Sequence, residues 1–261
     1  MRRTAIQTFY FESYSDDLVT SKNQNFELPR DFIWAHDSLP YKAISTMLYG
    51  LGLAFAFPYC HVRFSMRVNN REVLDKADSG FFLFANHTQP VGDAFAPACA
   101  VFPKRTYVLV SPSNLGIPVL GKLLPAMGAL PTPDCVSGMK KLKAAIARRI
   151  EQGHCVVIYP EAHVWPWYTK IRPFPSSSFA FPSELGAPSF CMTTTYRARA
   201  HGLLPQSVIY IDGPFYPDMQ LSKRARRDKL CEQVRTCMIA RSGENDCEHV
   251  HYVQKAHSDA A

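Results

Sequence analysis

Five short apolar runs, at 81–85, 107–110, 156–159, 190–195 and 208–211, recur through the second two-thirds of this chain. The first, Phe81-Phe82-Leu83-Phe84-Ala85, has no polar residue within it and Gly80 before it. Runs this short, bounded by turn signals, predict buried strands. Between them a helical period appears. Met139, Leu142, Ile146 and Ile150 recur at spacings of three and four, with Lys140, Lys141, Lys143, Arg148 and Arg149 off that face and Gly153 as a stop. A second helix is predicted over 222–239, with Leu230, Val234 and Met238 on one side. Its Lys223, Arg224, Arg226, Arg227, Lys229 and Arg235 make it strongly basic, a face either solvated or set against anionic lipid. Strands alternating with helices predict an α/β fold: a single domain with a mixed, largely covered sheet flanked by helices.

Upstream the pattern changes. Residues 44–59 are almost wholly apolar and end at Pro58 and Tyr59. As a helix this run is about 24 Å long, short of the ~30 Å hydrocarbon core of a bilayer. It is expected to be buried, re-entrant or interfacial, and Lys42, Arg63 and Arg67 beside it suit anionic headgroups. Residues 1–40 show no clear period, and 68–78 read as a polar connector. The organisation expected is an arm over 1–40, an apolar membrane-interacting helix over 41–67, and the α/β domain over 68–261.

Composition narrows this only slightly. With 261 residues, 47% hydrophobic and 20% charged, the chain has the makings of a sizeable core. A formal charge of +7 suits anionic surfaces, phosphates or acidic carriers, and no nucleic-acid-binding signature accompanies it. The eight cysteines form no C-x-x-C pair and read as buried thiols of a reducing compartment. Cys247, His249 and His251 alternate near the end and are expected to be strand or tail, not a metal site. Asp16, Asp17, Glu27 and Asp31 do not suit a secretory signal peptide.

Candidate chemistry gathers in two places. Asn86-His87-Thr88-Gln89-Pro90-Val91-Gly92-Asp93 leaves the first strand. An imidazole takes a proton near neutral pH, and a carboxylate beside it fixes its tautomer. The alternative is that Asp93 caps the helix entering at Ala94-Phe95-Ala96-Pro97 and His87 is a core residue. The second place follows the strand at 156: Tyr159-Pro160-Glu161-Ala162-His163-Val164-Trp165-Pro166-Trp167-Tyr168-Thr169-Lys170-Ile171-Arg172. Such strand-end loops are where α/β proteins place their sites. Glu161 and His163 offer polar contacts, Lys170 and Arg172 an anion site, and Trp165, Trp167 and Tyr168 the walls of an apolar channel. The alternative is an aromatic satellite core with a salt-bridged surface. His87, Asp93, Glu161 and His163 would hold one metal ion if the two loops met, although their spacing fits no metalloprotease or deaminase pattern.

Together these segments resemble the glycerolipid acyltransferase family, which includes the 1-acylglycerol-3-phosphate acyltransferases, over roughly residues 80–213. That family carries N-H-x-S-x-x-D, a G-x-P block, F-P-E-G-T-R and a V-P-x-x-P-like block. Asn86, His87 and Asp93 match the first. Ile117-Pro118-Val119-Leu120-Gly121 and Gly128-Ala129-Leu130-Pro131 look like the second. Tyr159-Pro160-Glu161 matches the third, and Gly186-Ala187-Pro188-Ser189-Phe190 looks like the fourth. The nearest likeness is to a bacterial subgroup with N-H-T-Q and Y-P-E-A-H-x-W-P signatures. Three departures stand out. Five residues separate His87 from Asp93 where the family has four, so one residue must bulge. Val164 stands where the family has Arg. The basic residues of the second block are replaced around Pro112-Ser113-Asn114 and Pro133-Asp134.

The resemblance implies transfer of a fatty acyl group from acyl-CoA or acyl carrier protein to the hydroxyl of a lysophospholipid, 1-acylglycerol-3-phosphate foremost, in phospholipid biosynthesis. No cofactor beyond the donor and no metal is implied. His87 is then the general base and Asp93 its orienting acid, with backbone amides after Asp93 expected to meet the oxyanion. Asn86, Glu161 and His163 are expected at the substrate. Arg172 and Lys170 are expected at the acceptor phosphate, with Lys104 and Arg105 in reserve. Trp165, Trp167 and Tyr168 would line the acyl channel. Partners implied are the membrane surface, its lipid acceptor and the donor, at the cytoplasmic face of the cell membrane. A different lysolipid acceptor, a non-catalytic lipid-binding adaptor and a metal-dependent hydrolase are the alternatives.

Overall fold

The computed structural model describes residues 7–19, 25–200, 202 and 204–255. In chain order the elements are β1 (Gln7–Phe11), α1 (Leu39–Pro58), β2 (Arg67–Asn69), β3 (Phe81–Ala85), α2 (Ala96–Val101), β4 (Thr106–Val110), α3 (Leu120–Met127), β5 (Ala129–Pro131) and α4 (Val136–Glu151). They continue with β6 (Cys155–Ile158), α5 (Ala180–Leu185), β7 (Ser189–Arg197), β8 (Gln206–Phe215), α6 (Lys223–Ser242) and β9 (Val250–Gln254). Seven strands make one sheet in the order β2-β8-β7-β3-β6-β4-β5. Only the β7–β8 pairing is antiparallel, so the sheet is mixed, as expected from the alternation of elements.

β3 lies at the centre because it has no polar side chain to satisfy. All five of its residues are fully buried, and each large one contributes about 1.5–3 kcal/mol by leaving water. Gly80 lets the strand begin: a Cβ there would run into the carbonyls of Ile150 and His154. Alternate residues face opposite layers. Phe82 and Phe84 pack with Leu142 and Ile146 of α4 and Leu230 and Val234 of α6. Phe81, Leu83 and Ala85 pack with Ala56 of α1 and with α2. The five predicted strands and two predicted helices are present, α4 and α6 beginning on Cys135 and Ser222 as caps. β2 and β5, three residues each, are too short to leave a pattern, and β2 begins the stretch expected as a connector.

α1 runs longer than its apolar core suggested. A five-residue π-turn, Tyr59–Arg63, continues it, and Leu39–Arg63 is long and apolar enough to cross a membrane, about 37 Å at 1.5 Å per residue. Length therefore does not argue against spanning; connectivity does. Before the helix, Trp34 donates its indole N–H to Pro131 O at 2.8 Å, and β1 pairs in parallel with β9. After it, β2 enters the main sheet. Both ends belong to one body, so α1 lies along it. Ser45 donates to Ala126 O of α3 at 2.6 Å, and Ala56 and Cys60 enter the core. Ile44, Met47, Leu51 and Phe55, spaced three and four apart, remain more than half exposed.

Candidate active site

The parallel strands β3, β6 and β7 end together, and the residues after β3 and β6 form one constellation. His87 follows β3 by two residues. Its Nδ1 lies 2.8 Å from Asp93 Oδ2. The same oxygen accepts the backbone N–H groups of Thr88 at 2.8 Å and Gln89 at 2.9 Å. The extra residue between His87 and Asp93 is absorbed in a tight turn: Asp93 N donates to Gln89 O, and a 3-10 turn follows over Gly92–Ala94. Gly92 is required there, because a Cβ would strike the buried Gln89 side chain, whose amide donates to Ser207 Oγ. Asp93 is thus no helix cap. The residue before α2 is Phe95, with no side-chain cap, and the Asp93 carboxylate turns back onto the ring. Asp93 is 2% exposed, and the His87 side chain keeps 23% of its surface open. With Nδ1 engaged, Nε2 is the nitrogen available to a substrate.

Tyr159, directly after β6, gives no sign in the sequence beyond its place in the Tyr-Pro-Glu motif. Its ring stacks on the imidazole, with centroids 4.4 Å apart and 28° between planes. Its hydroxyl donates to the Asp93 backbone carbonyl at 2.6 Å. Burial, and then the Asp93 charge, hold this phenol well above the ordinary tyrosine range, so it remains a donor.

The Trp-rich loop is laced to the His87 loop by backbone. Trp165 N donates to His87 O at 3.0 Å, and Trp167 N to Thr88 O at 2.7 Å. Glu161 is buried and accepts His87 N at 3.0 Å and Arg172 N at 2.8 Å. Arg172 donates to the Glu161 carboxylate at 3.3 Å, to Tyr14 O at 3.2 Å and to His163 O. Burial pushes the Glu161 carboxyl up and the Arg172 guanidinium down, and each charge opposes the other's shift. Ala162 and Trp167 hold φ of 65° and 61°. Ala162 stands where the resembled motif has glycine, and non-glycine residues pay roughly 1–2 kcal/mol for that region.

Several expected site residues sit elsewhere. The Arg172 side chain is 0% exposed and occupied by Glu161 and two carbonyls, so it braces the loop and does not face a phosphate. Asn86 is buried, its amide exchanging hydrogen bonds with the Thr194 backbone of β7 at 2.8 and 3.0 Å. Trp165 is fully buried, stacked on Tyr252 of β9 at 5.2 Å and donating to Asp16 O. It lies in a closed aromatic cluster with Tyr168, not in a channel wall. Trp167 is half-buried against Phe64, Tyr196 and His249. Lys104 and Arg105 precede β4, a full strand length of roughly 16 Å from His87. There they bond Ser79 O, and Ser45 Oγ and Ala126 O. Of the amides after Asp93 expected at an oxyanion, those of Ala94 and Phe95 donate to carbonyls of their own turn. His163 turns its ring toward Asp17 at 3.7 Å, so the four groups considered as metal ligands do not converge. Lys170 is exposed on the loop. A three-ligand cluster that the sequence did not signal, Cys191, Asp212 and Cys237, has its carboxylate gripped at 2.7 and 2.8 Å by Arg241.

No family model matches the chain, and no curated protein matches its sequence. Among solved structures, the fold is similar to the crystal structure of the 1-acyl-sn-glycerophosphate (LPA) acyltransferase PlsC from Thermotoga maritima. The TM-score is 0.56 and the identity 16%, over 79% of this chain and 83% of that one. The likeness at this identity is one of fold: a mixed sheet flanked by helices and preceded by an apolar helix.

Proposed function

We propose that this chain is an O-acyltransferase that moves a fatty acyl group from a thioester, acyl-CoA or acyl carrier protein, to the hydroxyl of a lysophospholipid. A 1-acylglycerol-3-phosphate, made into a phospholipid precursor at the cytoplasmic face of the membrane, is the favoured acceptor. The observation that carries this reading is the 2.8 Å contact between His87 Nδ1 and Asp93 Oδ2 at the carboxyl end of a buried strand. The fold likeness supports it. The same contact, made across the turn over Gly92–Ala94, favours catalysis over a non-catalytic lipid-binding adaptor.

In the reaction His87 Nε2 takes the proton of the acceptor hydroxyl as its oxygen attacks the thioester carbonyl carbon. Asp93 holds the tautomer and stabilises the imidazolium, and Tyr159 holds both partners. Collapse of the tetrahedral intermediate breaks the carbon–sulfur bond, and the thiolate leaves with the proton from His87. The nucleophile belongs to the substrate, so no acyl-enzyme forms. Lys170 is proposed at the acceptor phosphate, and the open stripe of α1 is proposed to seat the protein on the bilayer as a monotopic helix. A general base contributes about 10²–10⁴ in rate. His87→Ala should therefore lower transfer from labelled thioester to lysolipid by at least about a hundredfold, with an unchanged circular dichroism spectrum. Wild-type turnover in the folded variant would overturn the assignment.

A further inference from the structure

The positive charge of this chain is not spread over it. α4 and α6 hold twelve of the 29 Lys and Arg but three of the 22 Asp and Glu. They net +9 where the whole chain nets +7, so the rest nets −2. Both helices cover the sheet face that receives Phe82 and Phe84, opposite the face that receives the C-terminal half of α1. Part of this charge is internal: Arg226 donates to four backbone carbonyls, Arg241 holds Asp212, and Lys143 and Arg148 pair with Glu184 and Asp37. Lys140 and Lys141 are exposed and form no ion pair among the described residues.

A second observation lies beside them. Between α4 and the segment before α1 is a cleft of about 400 Å³ whose lining includes Phe32, Ile33, Trp34 and Lys141, together with the Asp31 and Arg148 charges. Ile33 is 55% exposed, and Val136 and Met139 of α4 are exposed on the same helix as the lysines. An apolar cleft with Lys141, unpaired among the described residues, in its lining and Lys140 next to it in sequence suits an amphipathic helix with an acidic polar face, with apolar anchors in the groove and charge beside them.

We propose that the α4 cleft docks a small acidic protein through such a helix, and that the protein is the carrier bearing the acyl thioester. The identity of the carrier rests on the acyltransferase reading; the docking surface does not. Electrostatic attraction raises the encounter rate, and the cleft supplies residence.

The test uses the full chain, fluorescently labelled acyl carrier protein loaded with a palmitoyl thioester, and palmitoyl-CoA. Lys140→Glu/Lys141→Glu should weaken carrier binding in fluorescence anisotropy at least tenfold, and raise KM for the carrier-borne donor alike, with KM for palmitoyl-CoA unchanged. Ile33→Asp, at an exposed position, should do the same through the cleft. Carrier binding that is absent from the wild type, or unaltered in both variants, overturns the proposal. So does loss of binding to phosphatidylglycerol vesicles with carrier binding intact, which would make this face a lipid surface. If the carrier binds the wild type and loses affinity in the variants while neither donor is turned over, the docking stands and the acyltransferase reading falls.

Discussion

At the scale of single residues, the site is organised around one oxygen. Asp93 Oδ2 accepts two backbone amides and faces one imidazole nitrogen, so the carboxylate fixes the loop and the ring in one act. The segment from Asn86 to Asp93 reads equally as a helix cap beside a core histidine, so the pair stands out in the sequence only through the wider resemblance over residues 80–213. Its partner Tyr159 does not stand out: a tyrosine at a strand end reads as packing until the hydroxyl is seen on Asp93 O. Arg172 misled for a related reason. A guanidinium in a loop suggests an anion, whereas here the anion is Glu161, eleven residues back and equally enclosed. Tyr159→Phe keeps the ring under His87 and removes one hydrogen bond, worth about 0.5–1.5 kcal/mol. It should lower kcat roughly three- to tenfold, 1.4 kcal/mol being a factor of ten, with KM for both substrates held. A variant whose kcat matches wild type would show that the turn over Gly92–Ala94 holds the pair unaided.

At the scale of elements, what the sequence showed depended on whether the partner was near or far. β3, β6 and β7 are buried almost throughout and β4 and β8 in part, and each is readable from its own composition. β1 pairs with β9 across almost the whole chain, Gln7 against Val250, and nothing local to either announces it. That small sheet closes over Trp165 with Phe11 and Tyr252, which turns an expected channel wall into a buried cluster. α1 was legible as apolar, but its role rests on connectivity that only the fold supplies. Leu51, in the middle of the open stripe, is 62% exposed, so Leu51→Glu disturbs no core packing. Carboxylates at an apolar membrane face cost up to about 2.5–3.5 kcal/mol at full depth, and less at the interface. The variant should partition at least tenfold less onto phosphatidylglycerol–phosphatidylethanolamine vesicles in flotation, while its thermal unfolding midpoint moves little. Unaltered flotation would show that this stripe is not the lipid contact.

At the scale of the whole molecule, two kinds of surface stand out. The α1 stripe is apolar, and α4 and α6 net +9 before their pairing with Asp37, Glu184, Asp212 and Asp218. The two kinds of contact answer differently to salt. Burial of hydrocarbon is insensitive to ionic screening, whereas exposed charges interact over a Debye length that shrinks from about 10 Å at 0.1 M to about 3 Å at 1 M. If α1 seats the protein and the basic helices meet an acidic partner, raising sodium chloride from about 0.1 to about 1 M crosses that range of screening lengths. Most of the protein should then stay on vesicles, and acyl carrier protein binding in anisotropy should fall by tenfold or more. The opposite pattern, protein leaving vesicles while the carrier stays bound, would mean that lysines and arginines hold the lipid and that the apolar stripe faces something else. Such a reversal could not come from a change at His87, since neither surface includes it.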